Sequence, residues 1–272
     1  MPELPEVETI RRQLHERLAG QIIDSIIIID SDKESPKGEG FAVALGDKLI
    51  KSVDRRAKLL IIRFSDNSGV TIHLKMTGRL VFVAKESIPT KHDRWRLSFT
   101  NSNDVLQWSD VRRFGYTRYL ESEAIELLLG EYGPEPLDAS VNTLALALQK
   151  QGRSRSVKAA LLDQSVIAGV GNIYADEACF RAGILPMTRV HDLSITDLER
   201  IAIHVQAVLK ESIAQKGTSA NDYVDAKGER GGFLGLLRVY GREHEPCVNC
   251  KTPIKRTVHA SRGTHYCASC QK

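Results

Sequence analysis

What is missing from this 272-residue chain already narrows what it can be. Its first residues are acidic and amphipathic, with no apolar stretch behind a basic one, so no secretory signal peptide is expected. No apolar run approaches the roughly 20 residues that a membrane-spanning helix needs. The expected compartment is the cytoplasm, and no membrane partner is expected. Disulfides are therefore disfavoured, because that compartment is reducing. Asp and Glu form no cluster of the kind a two-metal centre requires, which argues against a metal-dependent nuclease. Internal repeats and low-complexity tracts are also absent.

What is present is an ordinary globular composition, 42% hydrophobic and 26% charged, in a chain long enough for two cored domains. The net charge of +4 hides an asymmetry. From Lys227 onward there are nine Lys or Arg against three Glu, so the last 46 residues carry +6. Such a segment suits a polyanion such as nucleic acid, although a merely basic surface would look the same. Four of the five cysteines form Cys247-x-x-Cys250 and Cys267-x-x-Cys270, with sixteen residues between the pairs. This spacing predicts a four-cysteine zinc ribbon, closed to water and so structural. Cys179 stands alone on a predicted helix and reads as a small buried apolar residue.

The opening, Met1-Pro2-Glu3-Leu4-Pro5-Glu6-Val7-Glu8, admits two readings. Removal of Met1 would leave the secondary amine of Pro2 at the terminus. An α-amino group loses its proton at roughly 7.7 to 8, against about 10.4 for lysine, so this amine can attack an electrophilic carbon without being buried. With Glu3 or Glu6 in reach it could form a Schiff base with a sugar carbon. In the other reading the stretch simply starts a helix. Leu4, Val7, Ile10, Leu14 and Leu18 recur at helical spacing, Pro5 suits a first turn, and the acidic residues complement the dipole.

Farther along, apolar runs at 21–29, 48–53, 58–64, 70–74, 79–83, 95–99, 105–108 and 116–120 predict eight short strands of an antiparallel sandwich or barrel. Asp66 to Gly69 and Asn101 to Asp104 supply hairpin turns. At Gly133-Pro134-Glu135-Pro136 the texture changes, and helices are predicted at 141–150, 154–162, 173–182 and 195–216. The polar, Gly-rich stretch 216–235 reads as a mobile loop. The expected class is α+β: an N-terminal β-sandwich domain (1–133), a hinge (134–141), a helical domain (142–235) and a zinc finger (236–272). A ligand is expected between the two domains.

These pieces together resemble the formamidopyrimidine-DNA glycosylase family of bacterial base-excision repair enzymes. The likeness runs the full length. It is carried by Pro2 to Thr9, Arg55-Arg56-Ala57-Lys58, His73-Leu74-Lys75-Met76-Thr77-Gly78 and Asp110-Val111-Arg112-Arg113-Phe114-Gly115, then by Gly133 to Leu137, Gly169 to Glu177 and the zinc hairpin. The resemblance implies a β-sandwich with a catalytic N-terminal helix, a helix-two-turn-helix domain and a four-cysteine finger. It implies a monomer on duplex DNA that contains oxidised purines or abasic sites, with one structural Zn²⁺ and no catalytic metal.

By the same resemblance, Pro2 attacks C1′ of the damaged nucleotide, Glu3 protonates the sugar ring oxygen, and Glu6 is a supporting carboxylate or only a helix-start residue. Lys58 serves β-elimination and phosphate binding. Arg262 holds the position assigned to δ-elimination, where a bidentate phosphate clamp suits a guanidinium better than proton transfer. Met76, Arg112 and Phe114 fill the void left by the flipped base. His73, His92, Arg153, Lys158 and Asn172 fall at DNA-contact positions, although His92 and Arg153 could equally be solvated surface. Thr218, Ser219 and Tyr223 lie in the loop over the everted base. There the chain departs from the usual pattern, with Ala220 and Asn221 replacing a Leu and an Arg, which should alter lesion preference or loop order and leave the chemistry intact. Two alternatives share many of these features: an endonuclease VIII-like enzyme for oxidised pyrimidines, and a zinc protein that binds damage without catalysis.

Overall fold

The predicted apolar face of the first helix is the buried side of α1 (Leu4–Leu18): Leu4, Val7, Ile10, Leu14 and Leu18 are each at most 1% exposed. The computed structural model describes residues 1–30, 32–220 and 222–272. They form two units, Met1–Gly130 with Gln215–Gly232, and Glu131–Ala214 with Phe233–Lys272.

In the first unit α1 is followed by β1 (Ile23–Ile28), β2 (Glu34–Ser35), α2 (Glu39–Leu45), β3 (Ile50–Arg56), β4 (Leu59–Phe64), β5 (Gly69–His73), β6 (Gly78–Ala84), β7 (Asp93–Phe99), β8 (Asp104–Asp110), β9 (Tyr116–Leu120) and α3 (Ser122–Gly130). Two sheets form, ordered β1-β7-β8-β6 and β2-β9-β5-β4-β3. All eight expected strands are present. The added β2 is two residues long and pairs parallel with β9, the exception to an otherwise antiparallel pattern among the described residues.

Sequence reasoning missed α2 and α3. The run Leu59-Leu60-Ile61-Ile62 shows why α3 exists. Leu60 and Ile62 enter the main core with Val7, Ile10 and Leu14 of α1, whereas Leu59 and Ile61 face the other way and pack with Ile125, Leu128 and Leu129 of α3. A strand that is apolar on both faces needs a cover on each.

The second unit contains α4 (Val141–Gln151), α5 (Val157–Leu162), α6 (Asn172–Ala182), α7 (Ile195–Ala214) and the hairpin β10 (Lys255–His259) and β11 (Arg262–Tyr266). Ser140 and Ser156 cap α4 and α5 by accepting from the amides of Thr143 and Ala159. Glu177 of α6, fully buried, accepts from the amides of Arg238, Val239 and Tyr240 and so fastens the approach to the hairpin. No helix among the described residues is long and apolar enough to cross a membrane.

The division into units differs from the expected organisation at two places. The segment 134–141, expected as a separate hinge, falls inside the second unit, where the Glu135 carbonyl accepts from the amides of Asp138 and Ala139. The loop expected at 216–235, in the helical domain and mobile, belongs through Gly232 to the first unit. It is pinned there: Thr218 N donates to Glu6 Oε1 at 2.7 Å, Ala226 N to Gln13 Oε1 at 2.9 Å, and Phe82 N to the Ala226 carbonyl at 3.1 Å.

Candidate active site and nucleic-acid interface

Pro2 and Glu3 are buried at the mouth of α1. Glu3 and Glu6 cap each other, with the Glu3 amide donating to Glu6 Oε2 at 2.8 Å and the Glu3 carboxylate accepting from the Glu6 amide. Glu6 therefore fills the helix-start role and adds a second one, since its other oxygen anchors Thr218. Tyr223 closes the same corner by donating to the Lys216 carbonyl at 3.0 Å. Ser219 Oγ donates to the Tyr223 carbonyl and accepts from Gly231 N, both at 2.8 Å. Ala220 is exposed, and Asn221 lies outside the described residues.

Lys58 sits on the turn between β3 and β4, only 6% exposed, next to Ala57 at φ 52°. Arg55 braces that turn by donating to the Ala57 carbonyl at 2.9 Å while its Nε donates to Glu8 at 3.1 Å. Burial pushes the Glu8 carboxyl up, but hydrogen bonds and charge from Arg11, Arg12 and Arg55 prevail and hold it below its ordinary range. Strand pairing places His73 opposite Leu59. Burial, helped by the charges of Lys75 and Lys58, holds the His73 imidazole down at about 3. It is neutral, and its Nδ1 accepts from the Lys75 amide at 3.0 Å, which stiffens the turn leading to Met76.

Met76 and Phe114 are apolar yet 40% and 53% exposed, at the tips of the loops after β5 and β8. The Arg112 guanidinium lies over the Phe114 ring, 4.8 Å from its centroid. Both loops bend through left-handed residues, Lys75 at φ 50° and Arg113 at φ 57°. Beneath them lies Asp110, 1% exposed: Oδ1 accepts from the Thr77 hydroxyl and from Arg112 N, and Oδ2 from Gly115 N at 2.7 Å. The carbonyl of His92, itself half-buried, accepts from the Asp110 amide at 2.9 Å.

In the second unit one expected DNA-contact residue is enclosed by the fold. Lys158 is fully buried, and its ammonium donates to Asp176 Oδ1 at 2.7 Å, Thr264 Oγ1 at 2.8 Å and the Gly263 carbonyl at 2.9 Å. An ammonium has three donors, and these acceptors engage all of them, so in this fold Lys158 braces the hairpin turn. Asn172 Nδ2 supports the same Gly263 carbonyl at 3.1 Å, and Asp176 Oδ2 accepts from His265 N at 2.9 Å. The hairpin turn so held has Ala260 at φ 49° and Ser261 at φ 57°, the two left-handed residues of a tight two-residue turn. It presents Arg262 exposed at the start of β11. Arg153 is exposed too and lines an open groove with Lys150, Ser154 and His191.

The four cysteines converge, with all Sγ atoms within 4.8 Å of one another, 3.9 Å for Cys247 with Cys270 and 3.4 Å for Cys250 with Cys267. A tetrahedron of Zn–S bonds near 2.3 Å has edges of roughly 3.8 Å, which these separations fit. Phe180, Val239 and Ile254 pack around the cluster. Cys179 is fully buried, with its thiol raised by that burial.

A family model for the formamidopyrimidine-DNA glycosylase N-terminal domain matches residues 1–117, that for its H2TH domain 132–223, and that for the zinc finger found in FPG and IleRS 245–272. The chain belongs to the formamidopyrimidine-DNA glycosylase family. It is 40% identical over 276 residues to formamidopyrimidine-DNA glycosylase of Geobacillus kaustophilus, with all of both chains covered. Among solved structures, a Lactococcus lactis Fpg mutant in complex with a Fapy-dG containing DNA aligns at TM-score 0.91 and 32% identity, covering all of both chains. The Lactococcus lactis complex with abasic-site DNA aligns at TM-score 0.91 and 31% identity, covering 99% of each. The zinc finger of the family accounts for the cysteine cluster, which is built to hold one metal ion.

Seen as a member of this family, the chain contains supports that sequence reading passed over. Asp110 and Asp176 lie within motifs that carry the resemblance without being site residues by it, and Gln13 and Asp225 lie outside those motifs. Gln13 Nε2 donates to Asp225 Oδ2 at 2.7 Å across 212 positions of sequence. No local pattern announces a partner that far away.

Proposed function

We propose that this chain removes oxidised purines from duplex DNA and cuts the resulting abasic site, working on the chromosome in the bacterial cytoplasm as a monomer. The observation that carries the reading is the placing of Pro2 at the mouth of α1, whose first turn the Glu3–Glu6 capping box makes rigid. A nucleophile held by a packed helix begins close to its attack geometry. With Met1 removed, the Pro2 amine attacks C1′ and displaces the base, and Glu3 donates a proton to the ring oxygen so that the sugar opens to a Schiff base. The iminium acidifies the adjacent carbon, which allows loss of the 3′ and then the 5′ phosphate. Lys58 takes part in the first elimination and holds a phosphate. Arg262 and Asn172 contact the DNA backbone, the guanidinium as a bidentate clamp, with Arg153 and His92 contributing at the edges. Met76, Arg112 and Phe114 occupy the stack that the extruded nucleotide leaves, and Thr218, Ser219 and Tyr223 border the everted base.

The test is cleavage of end-labelled duplexes carrying one lesion. An 8-oxoguanine opposite cytosine should be cut to leave phosphate on both sides of the gap. Cutting only at an oxidised pyrimidine would move the chain to the endonuclease VIII substrate class. Binding without any cut would make it a damage-binding protein.

A further inference from the structure

We propose that Asp110 is a positioning residue for base extrusion, latching the Met76 loop to the Arg112–Phe114 loop so that the two act as one wedge. The proposal rests on the reading of Met76, Arg112 and Phe114 as void-fillers. Side chains that enter a base stack are pushed back by it, so the loops that carry them must be stiff. The His73–Lys75 bond stiffens only the start of the Met76 loop. Met76 and Phe114 are exposed, Arg112 touches only the Phe114 ring among its described aromatic contacts, and each loop turns on a left-handed residue.

The support lies underneath. Three donors from two loops, the Thr77 hydroxyl, Arg112 N and Gly115 N, converge on the two oxygens of one buried carboxylate. Thr77 Oγ1 in turn accepts from Arg112 N at 3.0 Å, so the residue after Met76 is bonded directly to the loop that carries Arg112. Asp110 is itself fixed by Arg94, which donates to its carbonyl at 2.6 Å, and by the His92 carbonyl. Gly78 and Gly115, at the feet of the two loops, both lie against the Trp108 indole so closely that neither has room for a Cβ. A carboxylate suits the position and an amide does not, because an amide would turn its NH₂ toward one of the three donors.

The test compares two substrates on the wild type, Asp110→Asn, Thr77→Val and Thr77→Ser: 8-oxoguanine opposite cytosine in a duplex, and a preformed abasic site in single-stranded DNA, which has no opposite base and no stack to fill. Asp110→Asn and Thr77→Val should lower kcat on the duplex lesion by about tenfold or more, while cleavage of the single strand stays within about twofold. Thr77→Ser, which keeps the hydroxyl, should match the wild type on both. Equal losses on the two substrates would mean that Asp110 only holds the fold. Normal duplex activity in Thr77→Val would mean that the latch is not used. Either result overturns the proposal. A wild type that cuts neither DNA would overturn the glycosylase reading itself, and the latch with it.

Discussion

Arg112 and Lys158 both occupy DNA-contact positions by resemblance, and the fold treats them in opposite ways. The first unit exposes Arg112 at a loop tip beside two exposed apolar side chains and spends its buried polar group, Asp110, on holding the loop. The second unit buries Lys158 completely and exposes Arg262 at the end of the hairpin that Lys158 braces. A basic residue at a family position can thus serve by touching the ligand or by holding the residue that does. Burial and donor count decide which.

The comparison can be broken most forcefully at the metal. If the hairpin of the second unit depends on a structural ion, a strong chelator should strip amide-exchange protection from 247–270 while α1 and the two sheets keep theirs. Structural zinc contributes on the order of 10 kcal/mol to small zinc folds. Uniform loss over the whole chain would show instead that the two units do not stand separately.

A sharper test sets the two cations against each other. Lys158→Met leaves the buried Asp176 without its ammonium partner, which should lower unfolding stability by roughly 3 to 5 kcal/mol in a urea melt. Arg112→Ala removes a surface group and should change stability by no more than about 0.5 kcal/mol. Excision of a duplex lesion should nevertheless fall, because the orphaned base loses its partner. Equal stabilities for the two variants would undo the distinction drawn between them.

A more gradual effect, spread over several pH units, concerns His73 in the first unit. The unfolded imidazole takes up a proton near its ordinary 6.5, whereas the folded one resists down to about 3. Lowering the pH through that window therefore favours the unfolded state, by at most about 1.4 kcal/mol per pH unit, while stability above pH 6.5 is untouched by this group. His73→Asn should flatten that part of the stability profile; an unchanged slope would mean that His73 titrates normally in the folded protein.

Patterns that repeat within a few residues were legible in the sequence. The buried face of α1, the eight strands, the four helices of the second unit and the paired cysteines all follow from spacing. Long-range pairings were not. Nothing near Lys158 indicates that Asp176, eighteen positions on, will take its charge, or that Thr264 and Gly263, more than a hundred positions away, will take its remaining donors. The Glu6–Thr218 and Gln13–Asp225 bonds draw a Gly-rich stretch onto α1 that by composition alone reads as mobile. The helix α3 escaped because its partner face is the far side of a strand already assigned to the core. For the site, local motifs supplied the groups that act, and the groups that position them came only with the fold.

A borohydride trap tests the Pro2 chemistry most directly. The protein is mixed with a duplex containing 8-oxoguanine opposite cytosine, reduced, digested and mapped by peptide mass. A covalent adduct should form on the Pro2 amine and be lost when Pro2 is blocked by retention of Met1. An adduct on a lysine, or none while the DNA remains bound, would contradict that chemistry.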